Sequence, residues 1–111
     1  MLEPEPWSRA PSNMKIEVEF SPPFQSRLSL DRQTVILEEG RSTVKDLFDG
    51  LMREHGAKIR PLLFAKKEDE ILSGLMVMIN DRTFTGSDLN RQEIRLAEGD
   101  RVSLLYFMSG G

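Results

Sequence analysis

From Met14 onward, Lys15, Glu17 and Glu19 alternate with Ile16, Val18 and Phe20. A period of two over this length predicts a strand with one solvated face. Ser21-Pro22-Pro23 ends it. Leu28 and Leu30 then flank Ser29, and Thr34-Val35-Ile36-Leu37 is β-branched and apolar ahead of Glu38-Glu39-Gly40. Together these predict the return arm of a hairpin. The period then changes: Val44, Leu47, Phe48, Leu51 and Met52 recur at helical spacing behind Ser42 or Thr43, either of which can cap the helix. Gly56 is a suitable stop, and His55 falls in the last turn, where a cation suits the carbonyl end of the helix. Pro61 prevents the helix from running on, and Leu62-Leu63-Phe64 is expected to tuck under its end. Leu75 to Ile79 reads as a second strong strand followed by turn chemistry at Asn80-Asp81, and Phe84 as part of a short strand or turn. Glu98-Gly99-Asp100 makes a tight turn before a last strand over Arg101 to Phe107.

The element order is strand, strand, helix, strand, short strand, strand. A hairpin with one apolar face and a helix with one apolar stripe predict an α+β domain: a mixed sheet with one main helix packed across one face. That is a ubiquitin-like β-grasp, whose first and last strands lie parallel and adjacent at the centre. The domain is expected over residues 14–111. Residues 1–13, with prolines at 4, 6 and 11 and no periodicity, read as a disordered tail in which Trp7 is an incidental aromatic or a short anchor.

Composition narrows the chemistry. The 111 residues contain no Cys and one His, so thiolate metal sites, cysteine nucleophiles and His-rich clusters are excluded, and general-base chemistry is thinly supplied. A chain of this size hides about 65% of its unfolded surface, which suits a compact fold without a deep cofactor cavity. With 15 Lys+Arg against 18 Asp+Glu, the net charge of −3 gives no electrostatic reason to expect nucleic acid or an anionic membrane as partner. The N-terminus lacks the apolar run of a signal peptide, and the longest apolar runs fall far short of the roughly 20 residues of a spanning helix. We therefore expect a cytoplasmic protein. The glycines at 40, 50, 56, 74, 86 and 99 show no phosphate-cradle spacing, and no metal-ligand or catalytic-triad spacing is present.

What remains is the end of the chain. Two glycines at the last two positions arise by chance in roughly 0.5% of chains. Here Gly110-Gly111 follows the last expected strand with only Met108 and Ser109 between. Such a tail can enter a channel too narrow for side chains and present its carboxylate to another enzyme. A second feature lies beside it. If Val102, Leu104 and Tyr106 face the helix, then Leu105 and Phe107 face away; if Leu75, Val77 and Ile79 point inward, Met76 and Met78 point outward. Met76, Met78, Leu105 and Phe107, extended by Met108, would then form an exposed apolar patch rimmed by Lys15, Glu17 and Glu19, as a docking surface does. With the faces inverted, the same residues would be core.

The sequence resembles the ubiquitin-like sulfur carriers, above all the small subunit of molybdopterin synthase and the thiamine-biosynthesis carrier. The resemblance spans about residues 14–111. It rests on Lys15-Ile16-Glu17-Val18-Glu19-Phe20, on Val35-Ile36-Leu37-Glu38-Glu39-Gly40 leading to Thr43-Val44, and on Val77-Met78-Ile79-Asn80-Asp81-Arg82. Most specific are Leu96-Ala97-Glu98-Gly99-Asp100-Arg101-Val102 and Ser109-Gly110-Gly111. It implies a non-catalytic carrier with no bound cofactor or metal. An adenylating enzyme related to ubiquitin activators would use ATP on the Gly111 carboxylate, and a sulfur donor would then leave a thiocarboxylate. A larger synthase subunit would accept the tail, including Ser109 and Gly110. The alternatives it leaves are a ubiquitin-like modifier joined to lysines through Gly111, and a sulfur donor for thiamine, tRNA thiolation or cysteine synthesis. A β-grasp binding module with no use for its C-terminus stands apart from these.

Overall fold

A computed structural model describes residues 13–38, 40–65 and 70–106. Among the described residues five strands form one sheet: β1 (Asn13–Phe20), β2 (Arg32–Glu38), β3 (Leu75–Ile79), β4 (Arg82–Thr85) and β5 (Arg101–Tyr106), in the order β2-β1-β5-β3-β4. β1 and β5 run parallel at the centre, with Val18 opposite Val102, and the other neighbours are antiparallel. The mixed α+β sheet expected from the alternation is therefore present. Its first strand is seen from Asn13, which pairs with Glu38, one residue ahead of the alternation; residues 1–12 of the expected N-terminal tail lie outside the described residues.

The main helix, α2 (Val44–His55), starts as its sequence demands. Thr43 Oγ1 accepts from the Asp46 N–H (3.1 Å), and Asp46 Oδ2 accepts from the Thr43 N–H (3.0 Å), closing a capping box. Val44, Leu47, Phe48 and Leu51 are buried against the inner face of the sheet with Ile16, Val18, Val77, Val102 and Leu104. Gly56 ends α2 at φ 58°, a left-handed value that glycine adopts without strain. His55 Nε2 lies 2.8 Å from Gln33 Oε1, an atom that can only accept, so the imidazole ties the end of α2 to β2.

The connection from β1 to β2 departs from the expected hairpin. Pro22–Leu28 is a helix, α1, and only from Arg32 does the return strand begin. Pro22 and Pro23 open α1 in its first turn, where no backbone donor is lost, so the prolines start this helix. Phe24 and Leu28, four apart on one face, enter the core.

Two more short helices hold the long connection to β3. After a 3-10 turn at Gly56–Lys58, α3 (Arg60–Leu63) carries Pro61 in its first turn and buries Leu63. Between β4 and β5, α4 (Gly86–Arg91) is capped by Thr85 and Asp88. The two bonds from Thr85 hold the Asp88 carboxyl below its usual range. Asn90 clips the connection down: Oδ1 accepts from the Ile71 N–H (2.9 Å) and Nδ2 donates to the Ile71 carbonyl (2.8 Å). At Gly86 a Cβ would overlap the Leu72 carbonyl oxygen, so only glycine admits this close approach.

Candidate functional site

The central strand, β5, is the element that leads to the C-terminal residues, and both its faces are specified. Val102 and Leu104 are fully buried on the inner face. Ser103 and Leu105, on the outer face, are half-buried, and Leu105 stands directly opposite Met76 of β3. Met78 stands opposite Ser103. Leu75, Val77 and Ile79 are buried while Met76 and Met78 are half-buried, so the faces lie as the alternation assigned them and the inverted arrangement is excluded.

Met76, Met78 and Leu105 thus share one side of the sheet, away from α2. On the same side, Glu19 pairs with Ser103 across the parallel junction and Glu17 with Arg101. The Ser103 hydroxyl lies 3.3 Å from Glu19 Oε1, and the Thr34 hydroxyl donates to Glu17 Oε2 at 3.0 Å. Lys15 and Glu17 are exposed and Glu19 half-buried. The result is a shallow apolar strip with a charged border, rather than a pocket. Two open clefts, of about 340 and 550 Å³, are lined by other residues: Thr43–Lys45 with Leu89–Ile94, and the β3–β4 turn with Glu93–Arg95. Phe107, Met108, Ser109, Gly110 and Gly111, the other expected site residues, lie outside the described residues.

At the end of β5 the inner face carries Tyr106, and its contacts were not legible in the pattern. Its ring stacks on Phe24 of α1, with centroids 5.4 Å apart, and Phe24 stacks in turn on Phe20 at 5.8 Å. The phenol donates to the Leu62 carbonyl of α3 at 2.6 Å. Burial pushes the phenol up to about 12, and Arg27 opposes this only in part. Tyr106 therefore fastens the last described residue of the central strand to two helices at once. Five residues follow it, a span that covalent geometry limits to about 17 Å.

Among the described residues no group of three or more His, Asp and Glu side chains could hold a metal, and no helix is long and apolar enough to cross a membrane.

A mixed five-stranded sheet in this order, one principal helix across its inner face and parallel first and last strands at the centre define a ubiquitin-like β-grasp domain. The profile of the ThiS family matches residues 24–111, from α1 through β5 to Gly111, so the chain belongs to the ThiS family of ubiquitin-like sulfur carriers. Solved structures share the fold. SAMP1 from Haloferax volcanii superposes with a TM-score of 0.69 at 21% identity, covering 87% of this chain and 99% of its own. CysO, in the Amycolatopsis orientalis BexX/CysO complex, gives 0.65 at 18% identity, covering 86% and 99%. A Pyrococcus furiosus protein assigned as molybdopterin converting factor, subunit 1, gives 0.60 at 21% identity, again covering 86% and 99%. No curated protein matches in sequence.

Proposed function

We propose that this chain carries sulfur on its C-terminal carboxylate, as the small subunit of a molybdopterin synthase. An adenylating enzyme of the ubiquitin-activator kind joins the Gly111 carboxylate to the α-phosphate of ATP and releases pyrophosphate. Hydrosulfide, or its equivalent on a sulfur donor, attacks the acyl carbon and AMP leaves, so the C–O bond to phosphate is exchanged for C–S. The resulting thiocarboxylate gives its sulfur to a precursor in the larger synthase subunit, and water restores the carboxylate. A carboxylate at neutral pH is a poor electrophile, and adenylation overcomes this by supplying a good leaving group. The chain is a protein cosubstrate here: it brings the reacting atom, while the ATP site and the acid–base groups belong to its partners, and it needs no cofactor of its own.

The observation that carries this reading is the ThiS-family match, which runs on through Ser109-Gly110-Gly111 to the last position. The docking strip supports it. Met76, Met78 and Leu105 offer adaptable apolar contact beside the strand that leads to the tail, and we assign Phe107 and Met108 to the same partner surface. The likeness to the Pyrococcus protein supports molybdopterin as the pathway of this proposal.

A second reading, a modifier attached through Gly111 to lysines, is favoured by the likeness to SAMP1, a small archaeal modifier protein. Reconstitution separates the readings. With the activating enzyme, ATP and sulfide, removal of Gly110 and Gly111 abolishes sulfur transfer to the precursor, and transfer that survives the deletion refutes the carrier reading. Lysine adducts without any sulfur transfer establish the modifier instead.

A further inference from the structure

Among the described residues the β2 edge is unpaired and long. β2 closes one side of the sheet with seven residues and contains no Pro or Lys, two residues that commonly blunt such edges. β4, at the other side, has only four. The Phe20 N–H donates to the Asp31 carbonyl at 3.0 Å, and the β1–β2 register continues from there, so Gln33, Val35 and Leu37 turn their backbone groups toward β1. By the same alternation Arg32, Thr34 and Ile36 turn theirs to the open edge, as Glu38 does its N–H; the Glu38 carbonyl already accepts from the Arg41 N–H (2.9 Å). Ile36 is 50% exposed, the largest exposure of any large apolar residue described.

This edge is complementary to itself. An antiparallel pairing of two copies about Val35 sets Arg32 of each copy opposite Glu38 of the other and Thr34 opposite Ile36. The residues brought together are those whose backbone groups face outward, with the Glu38 carbonyl shared with the Arg41 N–H. The outer faces of the two sheets stay on one side. Moving the centre to Thr34 sets Arg32 against Ile36 and Leu30 against Glu38; moving it to Ile36 sets Glu38 against Thr34. Only the Val35 register pairs both charges. Arg32 and Glu38 are exposed, and among the described residues neither makes a salt bridge.

We propose that β2 pairs antiparallel with β2 of a second copy, joining two five-stranded sheets into one continuous sheet about a two-fold axis at Val35. Edge pairing without packed faces makes a small interface, so the dimer exchanges rapidly, with a dissociation constant on the order of 0.1 mM. β1 separates β2 from β5, so the dimer leaves the outer strip of β3 and β5 free, and it stands or falls independently of the carrier reading.

The test is sedimentation of the full chain up to about 1 mM, with amide shifts followed by NMR over the same range. The expected result is concentration-dependent association in which the Thr34 and Ile36 amides move most. Arg32→Glu and Glu38→Arg each set like charges together at both ends and weaken association about tenfold. An equimolar mixture of the two variants restores it, because every charge then meets its opposite. Thr34→Pro removes an outward N–H and no backbone bond to β1, losing besides only the exposed hydroxyl's bond to Glu17, so it abolishes association while circular dichroism stays native. A chain that stays monomeric at 1 mM, or a Thr34→Pro variant that still associates, overturns the proposal. Failure of the mixture to restore association overturns the register.

Discussion

Replacing Tyr106 by Phe isolates one contact that holds the end of the central strand. The ring and its stack on Phe24 remain, and only the 2.6 Å bond to the Leu62 carbonyl is lost. A net hydrogen bond contributes about 0.5–1.5 kcal/mol, and Leu62 is half-buried, so water can partly replace the phenol; a loss of about 1 kcal/mol is expected. With a urea dependence of about 1.5 kcal/mol per molar, the midpoint falls by about 0.7 M at unchanged slope. The pH dependence makes a second, independent readout. The folded phenol titrates at about 12 and the unfolded one at 10, so the folded state holds its proton more tightly. That contribution is complete below pH 10 and is lost as pH rises from 10 to about 12. For a half-buried ring, screening reduces it to about 1 kcal/mol. Tyr106 is the only tyrosine, so the near-ultraviolet absorbance change on phenol ionisation follows it alone, Trp7 having no titrating group there. An ordinary phenol titration near 10, together with an unchanged urea midpoint in Tyr106→Phe, would refute the anchoring role.

The two faces of β5 make opposite predictions for neighbouring residues. Leu105→Asp, on the outer strip, weakens binding to the activating enzyme at least tenfold and leaves the melting temperature within a few degrees, whereas Leu104→Asp buries a carboxylate and unfolds the domain; binding by calorimetry and melting by circular dichroism separate them, and a Leu105→Asp variant that binds like the parent contradicts the docking strip. Gly86→Ala drives a methyl into the Leu72 carbonyl and costs more than about 2 kcal/mol in chemical denaturation. An unchanged midpoint there would show that the long connection is not held against α4.

The strands β1 and β5 and the helix α2 were legible because each repeats one period, whereas β3 was legible as a short run of five apolar residues, which marks a strand without assigning its faces. The sequence therefore left Met76, Met78 and Leu105 outward or, with the faces inverted, in the core, and the burial of Leu75, Val77 and Leu104 decides for the first. α1 was hidden because Pro22-Pro23, which ends β1, equally suits the first turn of a helix; the Phe24–Leu28 spacing is its mark in the sequence. α4 carried its own mark in Thr85 and Asp88, the same cap-and-acid pairing that opens α2. The Tyr106 anchor and the Asn90 clip left no such trace. Each joins residues far apart in the chain through a single backbone group, and such a partner has no sequence period. The end of the chain was different again. Gly110-Gly111 was conspicuous as composition, and its chemistry entered through family resemblance rather than through any geometry.

The central claim is that the reactive group of this thiol-free chain is its own last carboxylate. Intact mass after incubation with the cognate activating enzyme, ATP and sulfide tests it most directly, with fragmentation to locate the change. Replacement of one oxygen by sulfur, confined to Gly111 and absent when ATP is omitted, is the predicted result. An unchanged mass beside an enzyme that demonstrably charges another carrier, or sulfur found elsewhere in the chain, contradicts the account.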